Sequence, residues 1–192
     1  MEMAKARVTR QQWIDAAVRA IARGGVASVA VDALAKEFGI TRGSFYWHFA
    51  DRDELLRAAL DMWQRAGTDD VIAALEAIDD PRQRLLALFT TAVGADGVEG
   101  FEVALAADAA HPLVAPVLAR VTDGRLEYLT SVFRQAGRDT ATARRQAVTA
   151  YAIYVGWIHL RHTNPTLVPE LGSSDAEGTT TVIHVVDILL GP

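Results

Sequence analysis

The sequence contains no cysteine. That absence excludes a disulfide scaffold, thiolate-bound zinc, an iron–sulfur cluster and a cysteine nucleophile, and nothing in the composition calls for an oxidising compartment. Long apolar runs are also missing. The most continuously apolar stretch, Ala147 to Leu160, is too short for a bilayer span and is broken by Thr149, Gly156 and His159. Lys5, Arg7 and Arg10 near the start are not followed by the apolar segment of a signal peptide, so a cytoplasmic protein without a membrane partner is expected. The chain has no Gly-x-Ser-x-Gly, no phosphate-binding loop and no dinucleotide fingerprint. His159 with His162, and Asp108 with His111, are spaced to meet on a helix face, but no third ligand stands at a metal-binding spacing. No metal, no cofactor and no catalytic residue are expected, although a helical enzyme stays as an alternative class.

What the chain does contain points to helices. It has 192 residues, 51% of them hydrophobic, enough to build a substantial core. Alanine occurs 34 times and period-two alternation is rare, so the fold class is all-α. Capping chemistry marks the helix starts. Thr9 with Gln12 and Ser174 with Glu177 fit capping boxes, Asp51 with Glu54 is an acidic start, and Asp80 precedes a proline at the first helical position. Ser28 and Thr41 are further N-cap candidates. The spacing predicts nine helices near residues 10–23, 29–37, 41–47, 52–66, 70–78 continuing past Pro81 to about 93, 101–109, 112–136, 140–163 and 175–190. Thr179 to Leu190 is rich enough in Thr, Val and Ile to read as a strand. The spacing of Val182, Val185, Val186 and Leu189, and the lack of a pairing partner, favour a helix.

Charge divides the chain. Residues 1–50 carry seven Lys/Arg against four Asp/Glu, whereas residues 51–192 carry twelve against twenty. A basic head (1–50) on an acidic body (51–192) suggests that the head faces a polyanion.

Within the head, Trp13, Ile14, Ala17 and Ile21 share one face of the first helix. Two short helices follow, with Ala35 four residues before Gly39. A small residue lets the helices approach closely and a glycine turns the chain, as a helix-turn-helix requires. Leu34, Phe38, Ile40, Phe45 and Phe49 supply a shared core. The second helix of such a unit lies in a DNA major groove with its N-terminal residues towards the base edges. Arg42 is then placed for a bidentate guanine contact. Thr41 and Ser44 can reach phosphate or a base, Gly43 permits close backbone approach, and Tyr46 and His48 can donate to phosphate. Ser28, Lys36, Trp47 and Arg52 complete the DNA-facing set, and Lys5, Arg7 and Arg10 add salt-sensitive attraction. For Tyr46 and Trp47, plain packing is the competing reading.

The stretch Gly39-Ile-Thr-Arg-Gly-Ser-Phe-Tyr-Trp-His-Phe49, followed by Asp51-Arg-Asp-Glu-Leu55, resembles the DNA-binding head of the tetracycline-repressor (TetR) family. The resemblance covers roughly the first third of the chain and departs at Arg52, where lysine is usual, and at Trp47, often histidine. It implies a homodimeric repressor that holds a pseudo-palindromic double-stranded DNA operator through two heads. A small molecule entering the helical body would release it.

The body carries aromatics at helical spacing. Tyr151, Tyr154 and Ile158 share one face of the 140–163 helix and Ile153, Trp157 and Leu160 another, so this helix must be covered on two sides. Helices 140–163 and 175–190 are expected to pair with their copies in a two-fold interface. Trp63, Phe101, Leu105, His111, Tyr128, Tyr151, Tyr154 and Trp157 are candidates to line an effector cavity for an apolar or amphipathic molecule. Against this stands the plainer reading that such aromatics are core, which is preferred for Phe89 and Phe133. A DNA binder whose body only dimerises is the alternative.

Overall fold

The computed structural model describes residues 8–94, 100–166 and 176–191. Nine α-helices occur among the described residues: α1 (Arg10–Gly24), α2 (Val31–Glu37), α3 (Arg52–Gln64), α4 (Asp70–Leu75), α5 (Pro81–Gly94), α6 (Phe101–Ala107), α7 (Ala115–Gln135), α8 (Thr140–Thr163) and α9 (Ala176–Leu190). No strand is present among them, and the segment of ambiguous composition is helix α9. The fold class is therefore all-α, as expected. No helix among the described residues is long and apolar enough to cross a membrane.

Local chemistry explains most boundaries. Thr9 opens α1 with a complete capping box: Gln12 N–H donates to Thr9 Oγ1 at 3.2 Å and Thr9 N–H donates to Gln12 Oε1 at 2.8 Å. Glu54 N–H donates to Asp51 at 2.8 Å, and the Glu54 carboxylate accepts from Ala50 N–H at 2.7 Å. Asp80 accepts from Gln83 N–H at 2.7 Å and sets the start of α5 at Pro81. The Ser174 box and the arm residues Lys5 and Arg7 lie outside the described residues.

Several expectations need correction. The segment expected as an α-helix at 41–47 is a 3-10 helix, Arg42–Trp47. Its bonds run from Ser44 N–H to Thr41 and from His48 N–H to Phe45, the three-residue spacing of a 3-10 helix. Neither Ser28 nor Thr41 caps a helix through its side chain. Ser28 instead donates to the Gly24 carbonyl at 2.7 Å and helps close α1, so α2 starts at Val31 and a 3-10 turn, Val26–Ser28, precedes it. The helix expected at 52–66 passes through a π-helical turn, Arg65–Asp69, into α4. The Arg125 guanidinium holds that turn by donating to the Gly67 carbonyl and Thr68 Oγ1, both at 3.0 Å. α4 ends at Leu75 and does not continue through Pro81, because proline lacks the N–H that an uninterrupted helix would need there.

The chain separates into two compact units. One comprises residues 1–63 with 98–118, and the other residues 64–97 with 119–192. In the first, α1 packs on α6 and α2 packs on the 3-10 helix. Its core centres on Trp13, whose ring meets Phe38 at 5.1 Å and Phe45 at 5.3 Å edge-on, while Phe45 stacks on Phe49 at 5.5 Å. Such edge and offset contacts add about 0.5–1.5 kcal/mol each beyond area burial. Trp13, Phe45 and Phe49 are essentially inaccessible, and Leu34 and Ala35 are buried with them. Phe38 and Ile40 are only half-buried, at the rim of this cluster. In the second unit, α5, α8 and α9 pack together around Leu85, Phe89, Phe133, Ala147 and Val186. Phe89 and Phe133 are core, as preferred from sequence.

Candidate nucleic-acid interface and candidate effector residues

The turn between α2 and the 3-10 helix follows from the sequence around Gly39. Gly39 takes φ +64°, a left-handed value that favours glycine. Ile40 N–H bonds back to the Ala35 carbonyl and Gly39 N–H to that of Lys36, both at 3.0 Å, which is a Schellman closure of α2. The chain then re-enters at Thr41 in extended conformation. Phe45 and Phe49 anchor this segment inward, so Tyr46 and Trp47 between them turn outward.

The sequence-predicted DNA set divides accordingly. Ser28, Lys36, Thr41, Arg42, Gly43, Tyr46 and Trp47 are exposed. Trp47 is 75% exposed and Tyr46 52%, far more than packing aromatics would show. Arg42 is preorganised. Its Nε donates to Tyr46 Oη at 3.1 Å, its guanidinium lies 5.7 Å from the Tyr46 ring centre, and one terminal nitrogen lies 3.4 Å from the Asp32 carboxylate. The Tyr46 hydrogen bond, followed by the Asp32 charge, raises the guanidinium pKa further above its ordinary value, so Arg42 is a permanent cation.

Three other members are less open, and two of them are bonded within the chain. Ser44 is half-buried. His48 is half-buried and its Nε2 donates to the Val8 carbonyl at 2.9 Å. Arg52 donates through Nε to the Val29 carbonyl at 2.7 Å and through a terminal nitrogen to the Val26 carbonyl, so it holds the turn before α2. Arg10, from the basic arm, pairs with Glu54 at 3.8 Å and lies 4.7 Å from the Phe49 ring centre.

The candidate effector residues fall into two groups of four, one per unit. Trp63, Phe101, Leu105 and His111 lie in the first. Phe101 and Leu105 are buried there, Trp63 meets Phe101 at 5.8 Å, and His111 Nδ1 accepts from Leu113 N–H at 3.2 Å. Tyr128, Tyr151, Tyr154 and Trp157 lie in the second, on α7 and α8. Tyr151 and Tyr154 stack at 6.1 Å, Tyr151 Oη is 3.4 Å from Thr122 Oγ1, and the Arg125 guanidinium sits 5.5 Å from the Tyr154 ring centre. Tyr128 Oη and Trp157 Nε1 are buried without a hydrogen-bond partner among the described residues. Burial pushes the Tyr128 pKa up, so its phenol stays neutral and available as a donor. No cluster of three metal-ligating side chains occurs among the described residues.

The sequence does not single out Arg125, whose bonds to Gly67 and Thr68 join segments nearly sixty residues apart, and it offers Asp108 only as a weak metal ligand. Asp108 in fact accepts from Val26 N–H at 2.7 Å. No local motif announces either contact.

A tight helix-turn-helix that turns polar and cationic side chains outward from a sealed aromatic core defines a DNA-reading protein. Comparison with known proteins gives its family. Residues 14–59 match the family model for bacterial regulatory proteins of the TetR family. The regulator TtgW of Pseudomonas putida, an uncharacterised helix-turn-helix protein, is 34% identical over 95 residues, covering 42% of this chain and 71% of TtgW. The regulator TtgR of the same species is 39% identical over 95 residues, covering 46% of this chain but only 45% of TtgR. Among solved structures, the multidrug-binding protein EbrR in complex with malachite green superposes with a TM-score of 0.67 at 27% identity, over 95% of this chain and 98% of EbrR. The chain belongs to the TetR family of transcriptional regulators, a family of DNA-binding proteins and not of enzymes.

Proposed function

We propose that the protein is a cytoplasmic, homodimeric repressor that leaves its operator when a small apolar or amphipathic molecule binds. The observation that carries the DNA half is the exposed, cation-bearing surface of Thr41, Arg42, Gly43, Tyr46 and Trp47 over a buried aromatic core. Arg42 reads guanine, Tyr46 and Lys36 hold phosphate, and Arg52 shapes the head. Residues 1–50 act as the reading domain and residues 51–192 as the effector-binding and dimerising domain.

Dimerisation is supported by apolar side chains left in the open on α8 and α9. Val148 is 52% exposed, Leu160 50% and Ile188 61%, with Val155 and Ile183 close behind. Apolar surface on two consecutive helices is what a two-fold helical interface would cover. The effector reading is supported by Tyr128 and Trp157, whose polar atoms are buried without a partner among the described residues and which pack, like the stacked Tyr151 and Tyr154, against the core of the second unit. Buried polar groups are rarely left unpaired, and a ligand bearing an acceptor would satisfy them. The similar protein EbrR is a multidrug-binding protein with malachite green bound. Effector and DNA would favour different separations of the two heads, so each lowers the other's affinity by the same factor.

Selection of bound duplexes from a random-sequence pool at low ionic strength tests this reading. Enrichment of a pseudo-palindrome is the expected outcome, because a two-fold protein reads two-fold DNA. Failure to enrich any duplex would remove the function.

A further inference from the structure

Asp108 lies immediately after α6, far along the chain from the reading head, yet it is bound into the head's first turn. Its carboxylate accepts the Val26 N–H at 2.7 Å. The Val26 carbonyl in turn accepts from Arg52, which also donates to the Val29 carbonyl. Val26 is thus held at both of its backbone polar groups, by the end of α6 on one side and the start of α3 on the other. Gly25 is shaped to admit the carboxylate. It takes φ +71°, and a Cβ placed there would stand 2.4 Å from Asp108 Oδ2. Val26 and Val29 are themselves buried, so leaving the amide without this acceptor is costly.

The turn so held leads into α2 at Val31, and α2 packs on the 3-10 helix that carries Arg42. We infer that Asp108 is a positioning residue for DNA recognition: it never touches DNA, but its grip on Val26 keeps the reading head in its binding-competent arrangement. Without the acceptor the Val26 amide seeks water, the turn samples other conformations, and apparent affinity falls with the competent fraction. The inference rests on the DNA-binding reading above.

The test compares Asp108→Asn, which keeps an acceptor oxygen, with Asp108→Leu, which keeps the volume without one. The probe is the duplex recovered by selection with the parent chain. Asp108→Asn should bind within about three-fold of the parent and Asp108→Leu about ten-fold more weakly. The salt dependence of both should match the parent, because no phosphate contact is lost. Asp108→Leu binding as tightly as the parent, or Asp108→Asn as weakly as Asp108→Leu, would overturn the inference. Amide exchange of Val26 in the unaltered chain needs neither variant to fold nor any DNA. Protection well above that of exposed loop amides is expected, and exchange at a free-peptide rate would show that the grip does not exist. If the parent enriches no duplex while Val26 is protected, it is the DNA-binding reading that has failed and not the contact.

Discussion

The reading head and the paired helices α8 and α9 solve opposite problems with the same kind of side chain. In the head, aromatic residues seal a small core: Trp13, Phe45 and Phe49 are buried, and the outward face is left to Thr41, Arg42 and Gly43. On α8 and α9 the core is met on one side by Ala143, Ala147, Ala150, Val182 and Val186, while valine, leucine and isoleucine also point outward. A polar, cationic exterior suits a partner made of phosphates and base edges. An apolar exterior suits a partner that is itself a protein surface. The kind of group left uncovered thus distinguishes the partners proposed for the two regions.

The sharpest way to break this contrast is to attack the head from within. Trp13→Ala should cost about 3–5 kcal/mol of stability, as truncation of a fully buried large aromatic does, and abolish DNA binding. Chemical denaturation measures it, and a loss below about 1 kcal/mol would mean that the aromatic core is looser than its ring contacts imply. Next in size is Val155→Glu on the open face of α8. Burying a carboxylate from each copy should give monomers by light scattering and lower operator affinity about a hundred-fold, with the melting temperature of each unit little changed. A dimer that survives would move the interface elsewhere.

Arg42→Ala sharpens the head's side of the comparison. Specific binding should fall about ten-fold or more, with relaxed preference at one position of each half-site. An equal loss on all sequences would show that Arg42 touches only phosphate. Tyr154→Ala addresses the body. With an environment-sensitive apolar dye as the probe, titration should show weaker dye binding than by the parent, while operator affinity stays within about two-fold. Dissociation of the dimer instead would place this face at the interface.

The smallest effect concerns Asp139, the N-cap of α8. Its carboxylate accepts from Ala141 and Thr142 N–H groups, both at 3.0 Å, and the bonding from Thr142 holds its pKa below the ordinary carboxylate value. A depressed folded pKa means that the stabilisation is present above the unfolded carboxylate's pKa and is lost as pH falls through the folded value. Asp139→Ala should therefore be slightly less stable than the parent at neutral pH and converge with it in acid. A difference that stays constant with pH would assign the effect to something other than this charge.

Much of the molecule is legible in the sequence because the chemistry is local. The Thr9 box, Asp80 before Pro81, Ala35 and Gly39 all act within a few residues of themselves, and each does in the structure what its spacing predicts. Legibility fails where a distant group competes. Ser28 has the composition of an N-cap but bonds backward to Gly24, because the turn before α2 is fixed by Arg52 and Asp108 instead. The π-helical turn at Arg65–Asp69 depends on Arg125, and no pattern within the turn itself declares it. His48 looks free for phosphate in the sequence, yet the Val8 carbonyl lies within its reach. The effector face is only half legible. Spacing alone puts Tyr151 with Tyr154, but no spacing indicates that Tyr128 and Trp157 carry buried polar atoms without partners among the described residues.

The exposed side chains between Thr41 and Trp47 are the part of the protein proposed to meet DNA. Amide exchange across the head, with and without the selected duplex at low ionic strength, tests this most directly. Protection gained at Arg42, Gly43, Ser44 and Tyr46, and absent from α8 and α9, is the predicted result. Duplex-dependent protection confined to α8 and α9, or none anywhere in the chain, would contradict it.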